Sequence, residues 1–132
     1  MRTTITVITA VALVLALLTA CGSQKRNDGF SDKGFELACA ALDTANDYID
    51  HKITANDAIK KLQNAHDAIK KICDKVREEN GGVMTGSEVW RDGDAEHLIL
   101  MLWHHINLND QGTEPMSEVV SFRNKLSKSI WK

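Results

Sequence analysis

The side chains best suited to metal chemistry lie close together in the last third of the chain. His97, Met101 and His104 are spaced by four and three residues, so a helix would place them on one face. Imidazole and thioether ligands suit copper, and imidazole also suits zinc. One helix nevertheless supplies few ligands, and histidines at the edge of an apolar face more often form hydrogen bonds or interfaces. We therefore expect no metal and keep a copper or zinc site as the alternative.

Motifs of nucleophilic or metal-dependent hydrolysis are missing from the sequence. It contains no G-x-S-x-G elbow, no cysteine and histidine protease signature and no H-E-x-x-H. Acidic pairs occur throughout, and no pair stands out from the others. These observations predict that the protein is not an enzyme.

A covalent modification is indicated at Cys21 instead. Arg2 is followed by an uncharged apolar run from Ile5 to Leu18, which suits the central part of a signal peptide and is short for a membrane-spanning helix. The run closes with Leu18-Thr19-Ala20-Cys21, a branched apolar residue and two small residues before a cysteine. This arrangement resembles the lipobox of bacterial lipoproteins.

The lipobox resemblance implies how the chain is processed and where it resides. Cleavage would precede Cys21, whose sulfur would carry a diacylglyceryl group and whose new amino terminus would be acylated, for example with palmitate. Several acyl chains hold a protein at a bilayer far longer than one chain does. We expect residues 1–20 to be the signal peptide, 21–33 a flexible lipidated tether and 34–132 a helical domain in the cell envelope, with no cofactor besides the lipid.

The charge balance narrows the range of partners. The chain has 16 Lys and Arg against 18 Asp and Glu, and loss of residues 1–20 removes only Arg2, which leaves 15 − 18 = −3. A nucleic-acid-binding protein would show a basic patch in its sequence, so this class is not expected. Nor does a polybasic segment support binding to anionic lipid, so the acyl groups would have to anchor the protein.

Cys39 and Cys73 are the two remaining cysteines, and a disulfide between them is possible in an oxidising exported compartment. The helical register argues against it. If the two helices turn near residue 52, residue 39 faces about residue 66, and Cys73 lies roughly 10 Å further along. A disulfide usually tolerates about 7 Å between Cα atoms. Both the disulfide and two buried, reduced thiols remain open.

Apolar residues at three- and four-residue steps predict four helices. The first runs from about Asp32 to Asp50, and Thr54 caps the second, which ends near Glu79-Asn80-Gly81. A loop through Asp92 then precedes the third helix, Asp94 to Asn109, and Pro115 opens the fourth. Short connections between helices favour an all-α, four-helix bundle-like domain.

The third helix carries a second apolar strip, Leu100, Met101 and Leu108, outside its main apolar arc. A helix that is apolar on two sides is either central to a bundle or covered by a partner. The leading hypothesis is therefore a non-enzymatic lipoprotein that contacts another envelope protein through this strip. A binder of small apolar ligands within the bundle is a further possibility.

Overall fold

The computed structural model describes residues 24–82 and 90–132, and these form a four-helix bundle. The helices are α1 (Asp32–Ile49), α2 (Ala55–Glu79), α3 (Trp90–Asp110) and α4 (Met116–Ile130). The predicted all-α, bundle-like fold is confirmed. Cys21, the expected signal peptide and most of the loop before α3, residues 83–89, lie outside the described residues.

The helices run alternately up and down around a single core. Each one packs on its neighbours in the order α1, α2, α3, α4 and back to α1, and α2 and α4 do not touch within the described residues. Ser31, at the start of α1, bonds to the first turn of α3, and Tyr48, at the end of α1, bonds to the end of α3. Thus α1 and α3 run parallel to each other, and α4 returns in the opposite direction, which brings Trp131 against Phe35.

The buried face of α1 consists mainly of alanines, α2 buries alanines together with Leu62 and Ile69, and α3 and α4 supply mainly larger aliphatic residues. Small side chains allow α1 to approach its neighbours closely, and the branched side chains opposite fill the remaining volume. The largest fully buried apolar side chains are Leu62, Ile69, Ile99, Leu102, Ile106, Val119, Leu126 and Ile130.

Side-chain caps define the starts of the first two helices. Ser31 Oγ accepts a hydrogen bond from the Gly34 N–H at 2.9 Å, and Thr54 Oγ1 accepts one from the Asp57 N–H at 3.2 Å. Both residues satisfy backbone donors that have no partner within the helix. The predicted cap at Thr54 is confirmed.

Residues 25–31, which we call the entry segment, differ from the expected flexible tether over residues 21–33. Phe30 is buried in the core, and Arg26 forms an isolated antiparallel bridge with Trp131. The backbone N–H of Asn27 donates to the Ile130 carbonyl at 2.8 Å, and that of Lys132 donates to the Lys25 carbonyl at 2.9 Å. Polar composition suggested a tether, but these polar groups find partners at the far end of the chain.

The start of α3 also differs from the prediction. Asp92 and Gly93 were expected to form a turn before a helix at Asp94, but the helix begins four residues earlier, at Trp90. The Arg91 N–H donates to the Gly29 carbonyl at 3.0 Å, so the entry segment supplies a partner for a donor in the first turn. That partner lies about sixty residues away in sequence and could not be read from local residues.

Candidate functional site

A buried carboxylate connects the entry segment, α1 and α3. Asp92 is fully buried, and its two oxygens accept hydrogen bonds from the Ser31 N–H at 3.0 Å and the Ser31 hydroxyl at 2.6 Å. Gly34 lies against it, because a Cβ at residue 34 would fall 2.3–2.4 Å from the carboxylate atoms. Asp92 therefore fixes the start of α1 to the start of α3.

Burial determines the chemistry of Asp92. Desolvation raises the pKa of Asp92 above its ordinary value, and the two hydrogen bonds from Ser31 act in the opposite direction by favouring the charged form. A carboxylate that is enclosed and already occupied by protein donors has no access to a substrate. We assign it a structural role, in which it fixes the geometry of this end of the bundle.

The entry segment is held on its other side by Asn27. The Asn27 side-chain nitrogen lies 3.0 Å from the carbonyl oxygens of Lys128, Ser129 and Trp131. The carbonyls of Lys128 and Ser129 belong to the last turn of α4, where carbonyls have no partner within the helix, and Trp131 is the residue after it, so Asn27 caps α4 from a distance in sequence. The first and last parts of the described chain are thereby joined.

Aromatic packing completes the attachment of the entry segment. Gly29 adopts φ +94°, and a Cβ there would lie 2.4 Å from Trp90 Nε1, so glycine is required by both backbone and space. Trp90 is 42% exposed despite this contact. The Arg91 guanidinium carbon lies 4.1 Å from the centre of the Trp90 ring, which holds the arginine in place.

A basic groove of about 510 Å³ opens between the first half of α3 and the last half of α4. Its lining has three lysine or arginine side chains against one carboxylate. We call it the basic groove and define it by Arg91, Asp94, His97, Leu98, Lys125, Lys128 and Ser129. Two polar atoms in this lining, Arg91 Nε and Ser129 Oγ, are buried and have no hydrogen-bond partner in the described structure.

A second groove, about 520 Å³ and mostly apolar, lies beside the point where the described chain begins. It contains Gln24 and the ring of Trp131, which meets Phe35 edge to face with centroids 5.4 Å apart. Cys39 and Leu42 continue the wall along α1, and Glu36 and Asp43 complete the lining. The groove lies on the side of the bundle where Gln24, the first described residue, is found.

The metal alternative is not favoured by the surroundings of its residues. His97 and His104 are exposed on α3 and Met101 is half-buried between them. His97 lines the basic groove with Arg91 and Lys128, and neighbouring positive charges disfavour a bound cation. Within residues 24–82 and 90–132, no group of three or more His, Cys, Asp or Glu side chains could hold a metal ion.

Cys39 and Cys73 are not joined by a disulfide. Cys39 is half-buried in the wall of the apolar groove, whereas Cys73 lies fully buried in the core. The register argument thus agrees with the structure better than the compartment argument does. Burial, followed by the charges of Glu96 and Asp92, raises the pKa of the Cys73 thiol to about 11.

The predicted interface strip on α3 is partly uncovered. Leu100 is 37% exposed, while Met101 and Leu108 are half-buried. Of the described residues, Leu100 and Trp90 are the exposed large apolar side chains. They lie ten residues apart on α3, roughly 15 Å along its axis, so they do not form one patch. The role of the strip in docking stays a prediction.

The opposite end of the bundle holds a second set of polar contacts. His105 Nδ1 contacts a Glu114 carboxylate oxygen, and its ring stacks on Phe122 with centroids 4.4 Å apart. The Tyr48 hydroxyl donates to Asn109 Oδ1 at 2.7 Å. The other ring nitrogen of His105, Nε2, is buried and has no hydrogen-bond partner in the described structure.

Comparison of the chain with protein-family models, curated proteins and solved structures finds no match. A search of the described helices for one long and apolar enough to span a bilayer also finds none. The functional argument therefore depends on the chain's own residues.

Sequence reasoning missed the residues that organise the site, because their partners are distant in sequence. Asn27 contacts residues just over one hundred positions away, and Asp92 contacts one sixty-one positions away. The only local signal was the unusual pairing of a polar segment with a large apolar residue, Phe30. The cations of the basic groove likewise come from two helices, so no cluster of basic residues in the sequence predicts it.

Proposed function

We propose that this protein is an envelope lipoprotein whose non-enzymatic helical domain is held close to the membrane and contacts another envelope protein. The observation that carries the proposal is the distance between the lipobox cysteine and the first fixed residue of the domain. Lys25, whose carbonyl bonds to Lys132, stands four residues after Cys21. Four residues span at most about 14 Å, far less than the expected tether of residues 21–33 would reach.

A short connection would orient the domain as well as anchor it. The chain enters at the end of the bundle that holds the starts of α1 and α3 and the end of α4. This end would face the bilayer, and the turns at residues 50–54 and 111–115 would point away. The 25-residue helix α2 is about 38 Å long, so the far turns would extend well beyond the lipid headgroups.

The non-enzymatic part of the proposal is supported by two of the groups whose pKa values are raised. Asp92 and Cys73, whose pKa values are raised by burial, are both fully enclosed. Perturbed groups at catalytic sites line accessible clefts, whereas these two serve packing and hydrogen bonding. A third group, Asp43, has its pKa raised by burial and by Asp47, and it lies exposed in the wall of the apolar groove. The surface proposed for a protein partner remains the strip of Leu100, Met101 and Leu108, which would lie on the side of the anchored bundle.

The anchor is tested by the mass and location of the natural product. We expect the purified protein to begin at Cys21, to carry the mass of a diacylglyceryl group and an acyl chain, and to sediment with membranes. A Cys21→Ser variant should lack the lipid mass, and globomycin should block processing of the wild type. A wild-type protein that still begins at Met1, or that starts at residue 21 without lipid, would contradict the proposal.

The orientation is tested by energy transfer from a dye to acceptor lipids in reconstituted vesicles. A dye at Lys132→Cys should transfer strongly and one at His51→Cys weakly, both in a Cys39→Ser background. Inserting a ten-residue Gly/Ser linker after Ser23 should reduce the difference between the two positions. Equal transfer at both positions without the linker would rule out the proposed orientation.

The partner surface is tested by photo-crosslinking in intact cells. A crosslinker at Leu100 should capture a defined envelope protein, whereas one at Gln63, which is exposed on α2, should not. Capture of the same protein from both positions, or from neither, would remove the α3 strip as the docking surface.

A further inference from the structure

The geometry points to the basic groove as a binding site for a phosphate group, either free or in a lipid headgroup. This goes beyond the proposed function, and its headgroup form rests on the anchoring proposed above. The inference starts from Arg91 and Ser129, which come from different helices and line the same groove.

Both residues present donors that the protein leaves unpaired. Ser129 is 7% exposed, and its buried Oγ has no hydrogen-bond partner; the buried Arg91 Nε has none either. Buried polar groups in folded proteins are nearly always hydrogen-bonded, so two unpaired donors in one groove call for an explanation. An N–H and an O–H are both donors, and the group that would satisfy both is an oxygen acceptor.

The positive charge of the groove favours a negatively charged acceptor. Arg91, Lys125 and Lys128 stand against Asp94, and none of the three cations forms a salt bridge with any described residue. Arg91 is half-buried, Lys125 and Lys128 are exposed, and cations without a carboxylate partner are more available to an incoming anion than paired ones are. His97 is the other titratable side chain of the lining.

Two of the cations are already positioned by aromatic rings. The Arg91 guanidinium lies over Trp90 at 4.1 Å, and the Lys125 ammonium lies 4.2 Å from the centre of the Phe122 ring. A side chain that is held before binding loses less conformational entropy when the ligand arrives. The groove is therefore prepared for binding by contacts within the protein.

Phosphate fits this donor set better than carboxylate. An arginine fork, two ammonium groups and a hydroxyl can address several oxygens of a tetrahedral anion at once, whereas a planar carboxylate offers two oxygens. The groove is open and has about 510 Å³, which allows the phosphate to belong to a larger molecule. Ser129 also adjoins the last turn of α4, where Asn27 fastens the entry segment, so a headgroup would be within reach of an anchored domain.

The test uses thermal unfolding of the protein as the cell produces it, reconstituted in vesicles of a neutral galactolipid that contains no phosphate. A ligand that binds only the folded state raises the melting temperature. One arm adds glycerol 3-phosphate, with succinate as the carboxylate comparison, and the other replaces part of the galactolipid with phosphatidylglycerol. The soluble arm needs no lipid on Cys21, so it can be run in buffer if the anchor proposal fails.

Four variants separate a built site from general attraction of anions. Ser129→Ala removes a donor that has no protein partner, and Arg91→Lys keeps the charge but loses the fork; each should weaken binding about tenfold. Lys128→Gln should do the same, whereas Asp94→Asn should tighten binding. Lys75→Gln, an equal charge change on an exposed part of α2, is the control and should have little effect.

The outcomes decide the inference and identify the source of the phosphate. A melting temperature raised by glycerol 3-phosphate, and raised less in Ser129→Ala, Arg91→Lys and Lys128→Gln, supports a site for a soluble phosphoester. If the melting temperature rises only with phosphatidylglycerol, and the same variants reduce that rise, the result supports a headgroup site. The inference is overturned if the melting temperature rises in neither arm or rises equally with succinate. It is also overturned if Lys75→Gln reduces the ligand-induced rise as much as Lys128→Gln does.

Discussion

The close contact between Gly34 and Asp92 leads to a prediction for Gly34→Ala, in which packing and helix propensity affect the free energy of unfolding in opposite directions. Gly34 occupies the third position of α1, where alanine is favoured over glycine by about 1 kcal/mol on propensity alone. The added Cβ would, however, lie 2.3 Å from an oxygen of a fully buried carboxylate. Overpacking of a filled site costs about 1–3 kcal/mol.

The loss of stability in Gly34→Ala is increased by the effect on the hydrogen bonds between Asp92 and Ser31. If the carboxylate moves, it weakens its hydrogen bonds to Ser31, and a hydrogen bond to a charged group contributes about 1.5–3 kcal/mol. Against the propensity gain, we expect a net loss of about 2 kcal/mol. For a domain of this size, that corresponds to a melting temperature lower by roughly 10 °C.

Thermal or urea unfolding of the purified protein measures the effect of Gly34→Ala. A double-mutant cycle supplies the control, because Asp92→Ala removes the obstructing carboxylate. In that background, Gly34→Ala should be neutral or stabilising, so the sign of the effect reverses. If Gly34→Ala stabilises the otherwise wild-type protein, the close packing of Asp92 on α1 is refuted.

Three further predictions concern the same end of the bundle and the core. Asn27→Ala should lower the free energy of unfolding by about 1–2 kcal/mol. Asn27→Asp should lower it further, because the new carboxylate places a negative charge at the C-terminal end of α4, and equal losses for the two variants in urea unfolding would contradict this. Burial raises the pKa of Asp92, so its contribution to stability is greatest below the unfolded value near pH 4 and decreases as the pH rises through the folded value. Asp92→Asn should lack this decrease, and parallel pH profiles for the two proteins would refute it. A thiol reagent at neutral pH should label Cys39 in the folded protein and reach Cys73 only on unfolding; rapid labelling of Cys39→Ser would show that the core thiol is accessible.

The parts of the fold that could be predicted are those with local causes. Apolar residues at helical spacing indicated α1, α2 and α4, and Thr54 marked the start of α2 because a capping oxygen and its backbone donor lie three residues apart. The start of α3 was placed too late. Asp92 looked like a turn residue, and only its contact with Ser31 explains why it lies inside a helix.

The candidate groove and the fixed entry segment could not be predicted from sequence, since both depend on contacts between distant residues. Arg91 and Lys128 are separated by most of two helices and a turn, and nothing local pairs them. Asn27 stands in a stretch whose composition is that of a linker, yet its amide serves the far end of the chain. The alternative metal set of His97, Met101 and His104 lies on one helix face, and among residues 24–82 and 90–132 no group of side chains completes it.

The bonds between the entry segment and α4 have a mechanical consequence for an anchored protein. Any pull on Cys21, from bilayer undulation or from a partner in the cell wall, would load the Lys25–Lys132 and Asn27–Ile130 hydrogen bonds before it reached the Ser31 cap of α1. Tension would thus be shared with the last turn of α4 rather than concentrated on the first turn of α1. Severing the contacts of Asn27 should lower the force at which the domain begins to unravel.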